Sequence, residues 1–261
     1  MERKGRLGVE RQPVQDACFP DVSGLLDGVP RQGGGRAAPP PPGPVRKRRR
    51  FPRPWRVFPT PVGTPFTFGY GAVLVVTSLI TAYGSPALVR ALHQGSSTDV
   101  AHLVRMPVVV LVASALWIAG GLLSPFAVGF LVVLTALERR VGGVRTACVF
   151  LLGHVLATLA TEVPVGVGVL VGYLPGSSLH RLDYGVSFGV AAGVGALGGV
   201  LPPWVRWPLL GVFGWMLVSD LVAFTDPMTN WGHLIAFGIG LAVWPLVRMP
   251  AAPVRLRWGR V

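Results

Sequence analysis

The chain has 261 residues, of which 51% are hydrophobic and only 13% are charged, with a mean hydropathy of +0.55. A soluble domain usually carries about 25% charged residues, so this composition argues against an ordinary soluble domain and is typical of a protein that crosses a membrane several times. The net charge of +13 favours membrane topology over nucleic-acid binding, because Lys and Arg cluster at the cytoplasmic ends of spans.

The N-terminal part of the chain, residues 1–60, holds 13 of the 24 Lys and Arg residues and is rich in Pro and Gly. Such sequence cannot bury enough apolar area to offset its ordering entropy, which predicts a disordered cytoplasmic tail. Residues 1–20 contain no continuous apolar run of the kind found in signal peptides. The basic block at 46–56 then serves as a topology signal, and contact with anionic lipid headgroups is a second role open to it.

Apolar segments follow along residues 61–249, and residues 250–261 form a short basic tail. They predict an all-α membrane protein with six transmembrane helices, at roughly 66–86, 121–138, 144–164, 185–203, 206–225 and 230–248. Two short spans within 106–137 are the alternative. That alternative would place Arg139, Arg140 and Arg145 outside, against the positive-inside rule. We therefore expect a multi-pass plasma-membrane protein with six spans and both termini in the cytoplasm. Residues 87–120 then form an outer loop that partly enters the bilayer.

Two polar residues fall near the outer starts of the fourth and sixth predicted helices. Ser187 lies in the stretch DYGVSFGV, and His233 lies in NWGHLIAFGIG. Both helices run in the same direction, and a rise of about 1.5 Å per residue places the two side chains at nearly the same depth. They are therefore candidates for a nucleophile and its general base. The alternatives are a small residue at a packing surface for Ser187 and an interhelical hydrogen bond for His233.

Other residues allow weaker predictions. His154 and Glu162 lie about two helical turns apart. Their two possible roles are a proton relay and structural hydrogen bonding. The spacing Gly189-x-x-x-Gly193 predicts that the fourth helix is central and closely packed. Cys18 and Cys148 provide neither a disulfide nor a metal site, and we expect no cofactor.

Three stretches together resemble the rhomboid family of intramembrane serine proteases, and most closely its divergent actinobacterial members. ALERRVG at 136–142 resembles the end of the second rhomboid helix, and Gly185-Val186-Ser187 resembles the Gly-x-Ser of the fourth. NWGHLIAFGIG at 230–240 resembles the sixth helix, with Ala236 in place of one Gly. The resemblance implies that Ser187 is the nucleophile, that His233 is the general base, and that transmembrane proteins are the substrates. The Ser187 backbone N–H would donate to the oxyanion.

The chain departs from the rhomboid pattern around this dyad. The positions of the oxyanion donors in helix two are Leu122 and Phe126, and Phe188 stands where a Gly follows the nucleophile. Asn230 and the Ser114 hydroxyl are candidate replacements by position. The alternative function is therefore that of a catalytically inactive rhomboid-like protein that binds membrane-protein clients. A transporter would need an inverted repeat, and none is apparent in the sequence.

Overall fold

The structure is a computed structural model, and it describes residues 58–249. All regular structure in this range is helical, which confirms the predicted all-α class. The predicted tail at 250–261, and nearly all of the one at 1–60, lie outside the described residues. The α-helices are α1 (Pro65–Tyr83), α2 (Pro86–Gly95), α3 (Val100–Arg105), α4 (Pro107–Ser114), α5 (Pro125–Gly129), α6 (Thr135–Val141), α7 (Gly143–Leu170), α8 (Ser187–Val200), α9 (Pro203–Ala223), α10 (Pro227–Ala242) and α11 (Trp244–Arg248).

Three of these helices, α1, α7 and α9, are long and apolar enough to cross a membrane. The other predicted spans are shorter or interrupted. A π-helical segment, Phe130–Leu134, joins α5 to α6, and α8 has 14 residues. The last apolar segment divides into α10 and α11. The count of six spans therefore stays a prediction.

The outer faces of α1 and α9 carry apolar side chains that none of the described elements covers. Val76 is 57% exposed, and Val212 and Trp215 are more than 70% exposed. Such faces would be costly in water and suit the hydrocarbon of a bilayer. Helix positions and exposure are thus consistent with a membrane protein.

Helix α8 lies at the centre, packed between α7 and α10. Every residue from Phe188 to Gly199 is buried, which agrees with the central position predicted for this helix. Small residues allow the close approach. A Cβ atom on Gly240 would lie 2.1 Å from the Ala192 carbonyl oxygen, and one on Gly195 would lie 2.5 Å from that of Phe237. Only glycine at these positions allows α8 and α10 to pack at this distance.

The end of α6 holds the start of α1 through a buried carboxylate. Glu138 accepts hydrogen bonds from the Phe66 N–H at 2.9 Å, the Thr67 N–H at 2.8 Å and the Thr67 hydroxyl at 2.7 Å. The amide groups of a first helical turn have no acceptor within their own helix. Glu138, which sequence analysis placed in the acidic-basic end of a helix, therefore acts as a tertiary cap for α1.

The segment at 87–120, predicted as a long outer loop, folds into α2, α3 and α4. Ser85 caps α2 by accepting from the Leu88 N–H, and Asp99 caps α3 by accepting from the His102 N–H. Tyr70 of α1 donates a hydrogen bond to the Ala115 carbonyl just after α4. The last of these contacts holds the end of α4 against α1.

Candidate functional site

The chain just before α8 is fixed by a glycine turn. Gly185 has φ +131°, a conformation that side chains rarely adopt. Its N–H donates to the Ser114 carbonyl at 3.0 Å, and the next N–H, of Val186, donates to the Trp117 carbonyl at 3.1 Å. Helix α8 then starts at Ser187. The Gly185-Val186-Ser187 motif thus places Ser187 at a helix N-terminus, where the first amide groups have no acceptor within the helix.

Ser187 lines a small cavity of about 10 Å³ between α8 and α7. The cavity is lined by Thr98, His154, Thr158, Asp183, Tyr184, Gly185, Ser187 and Phe188. Its volume is that of a single water site. Among the described residues, the Ser187 hydroxyl has no hydrogen-bond partner.

His233 contacts the residue that follows Ser187, and its ring packs against two aromatic side chains. The Phe126 ring stacks on it with centroids 5.6 Å apart, and the Phe188 ring meets it edge-on at 5.2 Å. Its Nε2 is buried without a partner among residues 58–249. His233 does not line the Ser187 cavity, and within this range the two side chains form no hydrogen bond.

The candidate oxyanion donors lie in different places. The Asn230 side-chain amide donates to the Asp220 carbonyl at 2.8 Å, on an exposed surface. The Ser114 hydroxyl donates to the Leu111 carbonyl at 3.3 Å and lies 3.1 Å from His154 Nε2. Of the three candidates, the Ser187 backbone N–H is the one that lies at the predicted nucleophile itself.

His154, which the sequence left between a relay and a structural role, is held by the end of α4. The residue is 2% exposed, and its Nε2 lies 3.1 Å from the Leu111 carbonyl oxygen. Its ring stacks against Phe150. A carbonyl only accepts hydrogen bonds, so this contact favours the tautomer with the proton on Nε2. That Nδ1 is buried without a partner in the described part of the chain.

Glu162, two turns further along α7, belongs to an ion-pair cluster outside this cavity. Arg181 contacts the Glu162 carboxylate at 2.6 Å, Asp226 at 3.4 Å and Asp183 at 3.7 Å. Arg181 thereby links α7, the chain before α8 and the turn before α10. Sequence analysis did not identify Arg181, because pairing across three segments distant in sequence leaves no local pattern.

Asp183 connects this cluster to the small cavity. Its carboxylate and carbonyl both lie within hydrogen-bonding distance of the Thr98 hydroxyl, at 3.4 and 3.1 Å. Burial raises the pKa of the Asp183 carboxyl above its ordinary value, while the charge of Arg181 and the bond from Thr98 act in the opposite direction. The carboxylate therefore forms part of a fixed polar rim close to Ser187.

The comparison with known families is consistent with this architecture. A family model described as rhomboid-like protein matches residues 62–253. The chain belongs to the rhomboid-like protein family. The resemblance seen in the three sequence motifs is thereby confirmed, and the chain is a rhomboid-like membrane protein. No curated protein and no solved structure matches it. Within residues 58–249, no group of His, Cys, Asp and Glu side chains could hold a metal ion.

Proposed function

We propose that this rhomboid-like membrane protein is a serine-type intramembrane protease that cleaves transmembrane segments of other membrane proteins, with Ser187 as the nucleophile. One observation carries the proposal. Ser187 begins the central helix, and its hydroxyl has no hydrogen-bond partner among the described residues. Ser187 lines a small, partly polar cavity that the buried His154 also lines. A nucleophile, a nearby base and helix N-terminal amides are the groups that acyl transfer needs.

Hydrolysis within a membrane also requires water at the nucleophile. The cavity beside Ser187 has polar side chains on several sides, contributed by Thr98, Thr158 and Asp183. The Arg181 cluster adjoins it through Asp183 and includes the 55%-exposed side chain of Asp226. A polar site of this size satisfies the usual conditions for an internal water, and it supports hydrolysis at the start of α8.

The proposed orientation places both termini in the cytoplasm of the plasma membrane. Basic residues meet at the end of the bundle where α8 and α11 end. The guanidinium groups of Arg206 and Arg248 lie 5.2 and 4.8 Å from the centre of the Trp244 ring. Arg145 donates to the Met249 carbonyl at the same end. The positive-inside rule assigns this end to the cytoplasm, which leaves Ser187 on the outer side.

Reconstitution tests the proposal. The purified protein is placed in liposomes with a panel of single-span substrates, beside a Ser187→Ala variant and a Ser178→Ala control in the 3₁₀ turn Gly176–His180. We expect cleavage by the wild type and the control, and none by Ser187→Ala. Cleavage that persists in Ser187→Ala would overturn the assignment of the nucleophile.

A second function, that of a non-cleaving client-binding protein, is favoured by the surroundings of His233. In the second predicted span, the positions that usually donate to the oxyanion hold Leu122 and Phe126. The Phe126 ring instead packs on His233. A mainly apolar cavity of about 660 Å³ between α3 and the end of α7 gives a surface suited to hydrophobic segments. If this function is the true one, photo-crosslinked clients are recovered intact and Ser187→Ala captures them equally well.

A further inference from the structure

A cavity lined by several arginines lies at the end of the bundle opposite to Ser187. It has a volume of about 640 Å³ and lies where α6, α8 and α11 end and α7 begins. This volume is within the usual range of ligand sites in proteins. The described residues that line the cavity are Arg140, Val141, Gly142, Arg145, Gly199, Val200, Val247, Arg248 and Met249.

The charge of this cavity is positive, and no carboxylate in its described lining offsets that charge. Arg140 donates to the Ala136 carbonyl at 2.8 Å. Arg248 donates to the Gly199 carbonyl, also at 2.8 Å. A neutral carbonyl orients a guanidinium group, which has five N–H donors, without cancelling its charge. Glu138 also belongs to α6, but its carboxylate binds the start of α1. The cavity therefore favours an anion with several acceptor oxygens.

An apolar groove adjoins this cavity along one face of α7. The groove has a volume of about 110 Å³, and Arg145 and Val247 line both the groove and the cavity. Its other lining residues come from α7 and from the chain around the start of α11, and they are Cys148, Val149, Leu152, Val243 and Leu246. Leu152 and Leu246 are 40% and 57% exposed, so the groove is bordered by side chains that suit hydrocarbon. The charged cavity and the apolar groove together form one amphipathic site.

The chemistry of a phospholipid matches both parts of this site. Its phosphate oxygens accept hydrogen bonds from guanidinium groups, and its acyl chains suit an apolar groove. Basic pockets between membrane helices on the cytoplasmic side are typical binding sites for anionic lipid headgroups. A soluble anion would leave the apolar groove unused, and a hydrophobic peptide would leave the positive charge unmatched. The site therefore fits an anionic lipid better than either of these ligands.

We propose that this site binds an anionic phospholipid from the leaflet at this end of the bundle. The phosphate lies among Arg140, Arg145 and Arg248, and the first part of one acyl chain follows the groove along α7. The bound lipid connects the ends of α6 and α11 to the start of α7. Ser187 begins α8, whereas this site lies where α8 ends. The inference is therefore independent of the proposed proteolytic function.

Native mass spectrometry of the full-length chain in detergent measures lipid binding directly. Phosphatidylglycerol is the anionic probe, and phosphatidylcholine with the same acyl chains is the zwitterionic control. We expect the wild type to bind phosphatidylglycerol more tightly than phosphatidylcholine. Arg140→Gln should lower the affinity for phosphatidylglycerol about fivefold, and Arg140→Gln combined with Arg248→Gln should lower it about 25-fold.

Arg139→Gln is the matched control, because Arg139 is an exposed neighbour of Arg140 that does not line the cavity. It donates instead to the Phe58 carbonyl, and its loss should leave the affinity unchanged. Arg140 is itself exposed, so its single variant tests the site even if the double variant fails to fold. Equal wild-type affinity for the two lipids, or equal losses in Arg139→Gln and Arg140→Gln, would overturn the proposal.

Alkylation of Cys148 locates the lipid and distinguishes it from a soluble anion. Cys148 is exposed and lines the groove, and Cys18→Ser makes it the only cysteine in the chain. We expect phosphatidylglycerol to slow the reaction of Cys148 with a maleimide, and Arg140→Gln to weaken this protection. Glycerol phosphate, which has no acyl chain, should leave the rate unchanged. Equal protection by glycerol phosphate, or no protection by phosphatidylglycerol, would overturn the proposal.

Discussion

The tertiary cap on α1 gives the sharpest stability prediction. Replacing Glu138 with Ala removes the acceptor of three hydrogen bonds, those from the Phe66 N–H, the Thr67 N–H and the Thr67 hydroxyl. Glu138 is 3% exposed, so the donors it leaves behind are largely shielded from solvent. Bonds to a charged group contribute about 1.5–3 kcal/mol each and are not additive when they share one acceptor. We therefore expect a loss of about 3–5 kcal/mol in the free energy of unfolding.

Thermal unfolding in detergent, followed by intrinsic fluorescence, measures this loss. A change of 1 kcal/mol moves Tm by roughly 2–4 °C in a chain of this size, so Glu138→Ala should unfold about 6–20 °C below the wild type. Thr67→Val removes one bond and should cost about 1 kcal/mol. The double variant should be about as stable as Glu138→Ala, because both changes remove the same interaction. Additive losses, or a Glu138→Ala protein as stable as an Arg140→Ala control, would refute the cap.

Three further perturbations test the packing and the site. Gly240→Val should disrupt the α8–α10 contact, because its Cβ would lie 2.1 Å from the Ala192 carbonyl oxygen, and it should lower the yield of folded protein on size-exclusion chromatography. The control Gly238→Val should leave that yield unchanged, because no heavy atom lies within 4 Å of its Cβ. Arg181→Met should destabilise the protein by about 3–5 kcal/mol, because it leaves the Glu162 carboxylate buried without its partner. Adding Glu162→Gln to this variant should restore part of the thermal stability. No restoration would contradict the pairing of Arg181 with Glu162. The His233 ring packs against Phe126 and Phe188, so His233→Phe should keep Tm within a few degrees of the wild type, whereas His233→Ala should lower Tm further. An equal loss of Tm in both variants would argue for a polar role of His233.

The sequence predicted the elements whose signals are local. Apolar runs located the helices, and the small residues of α8 predicted its central position because close backbone packing needs Gly and Ala at helical spacing. The number of membrane spans cannot be read from the apolar runs in the same way. The π-helical segment Phe130–Leu134 and the break after α10 depend on tertiary packing, which overrides a hydropathy pattern.

The sequence predicted which helices carry the candidate site residues, but it did not predict the contacts of their side chains. Equal depth predicted that His233 lies near Ser187, and in the structure His233 contacts the next residue, Phe188. Depth along a helix does not specify the direction in which a side chain points, so the sequence did not reveal that Ser187 shares a cavity with His154. The bond from His154 to Leu111 and the pairing of Arg181 with Glu162 join positions 43 and 19 residues apart, and contacts of this kind have no periodic signature in the sequence.

The most direct test of the central claim is to locate the covalent adduct on the intact protein. The full-length wild-type chain is treated with a fluorophosphonate in detergent, and peptide mapping by mass spectrometry identifies the modified residue. A nucleophile at the start of α8 predicts one phosphonyl group per chain on Ser187, and none in Ser187→Ala. An unmodified wild-type chain, or an adduct that forms equally in Ser187→Ala, would contradict a serine hydrolase and favour the non-cleaving, client-binding function.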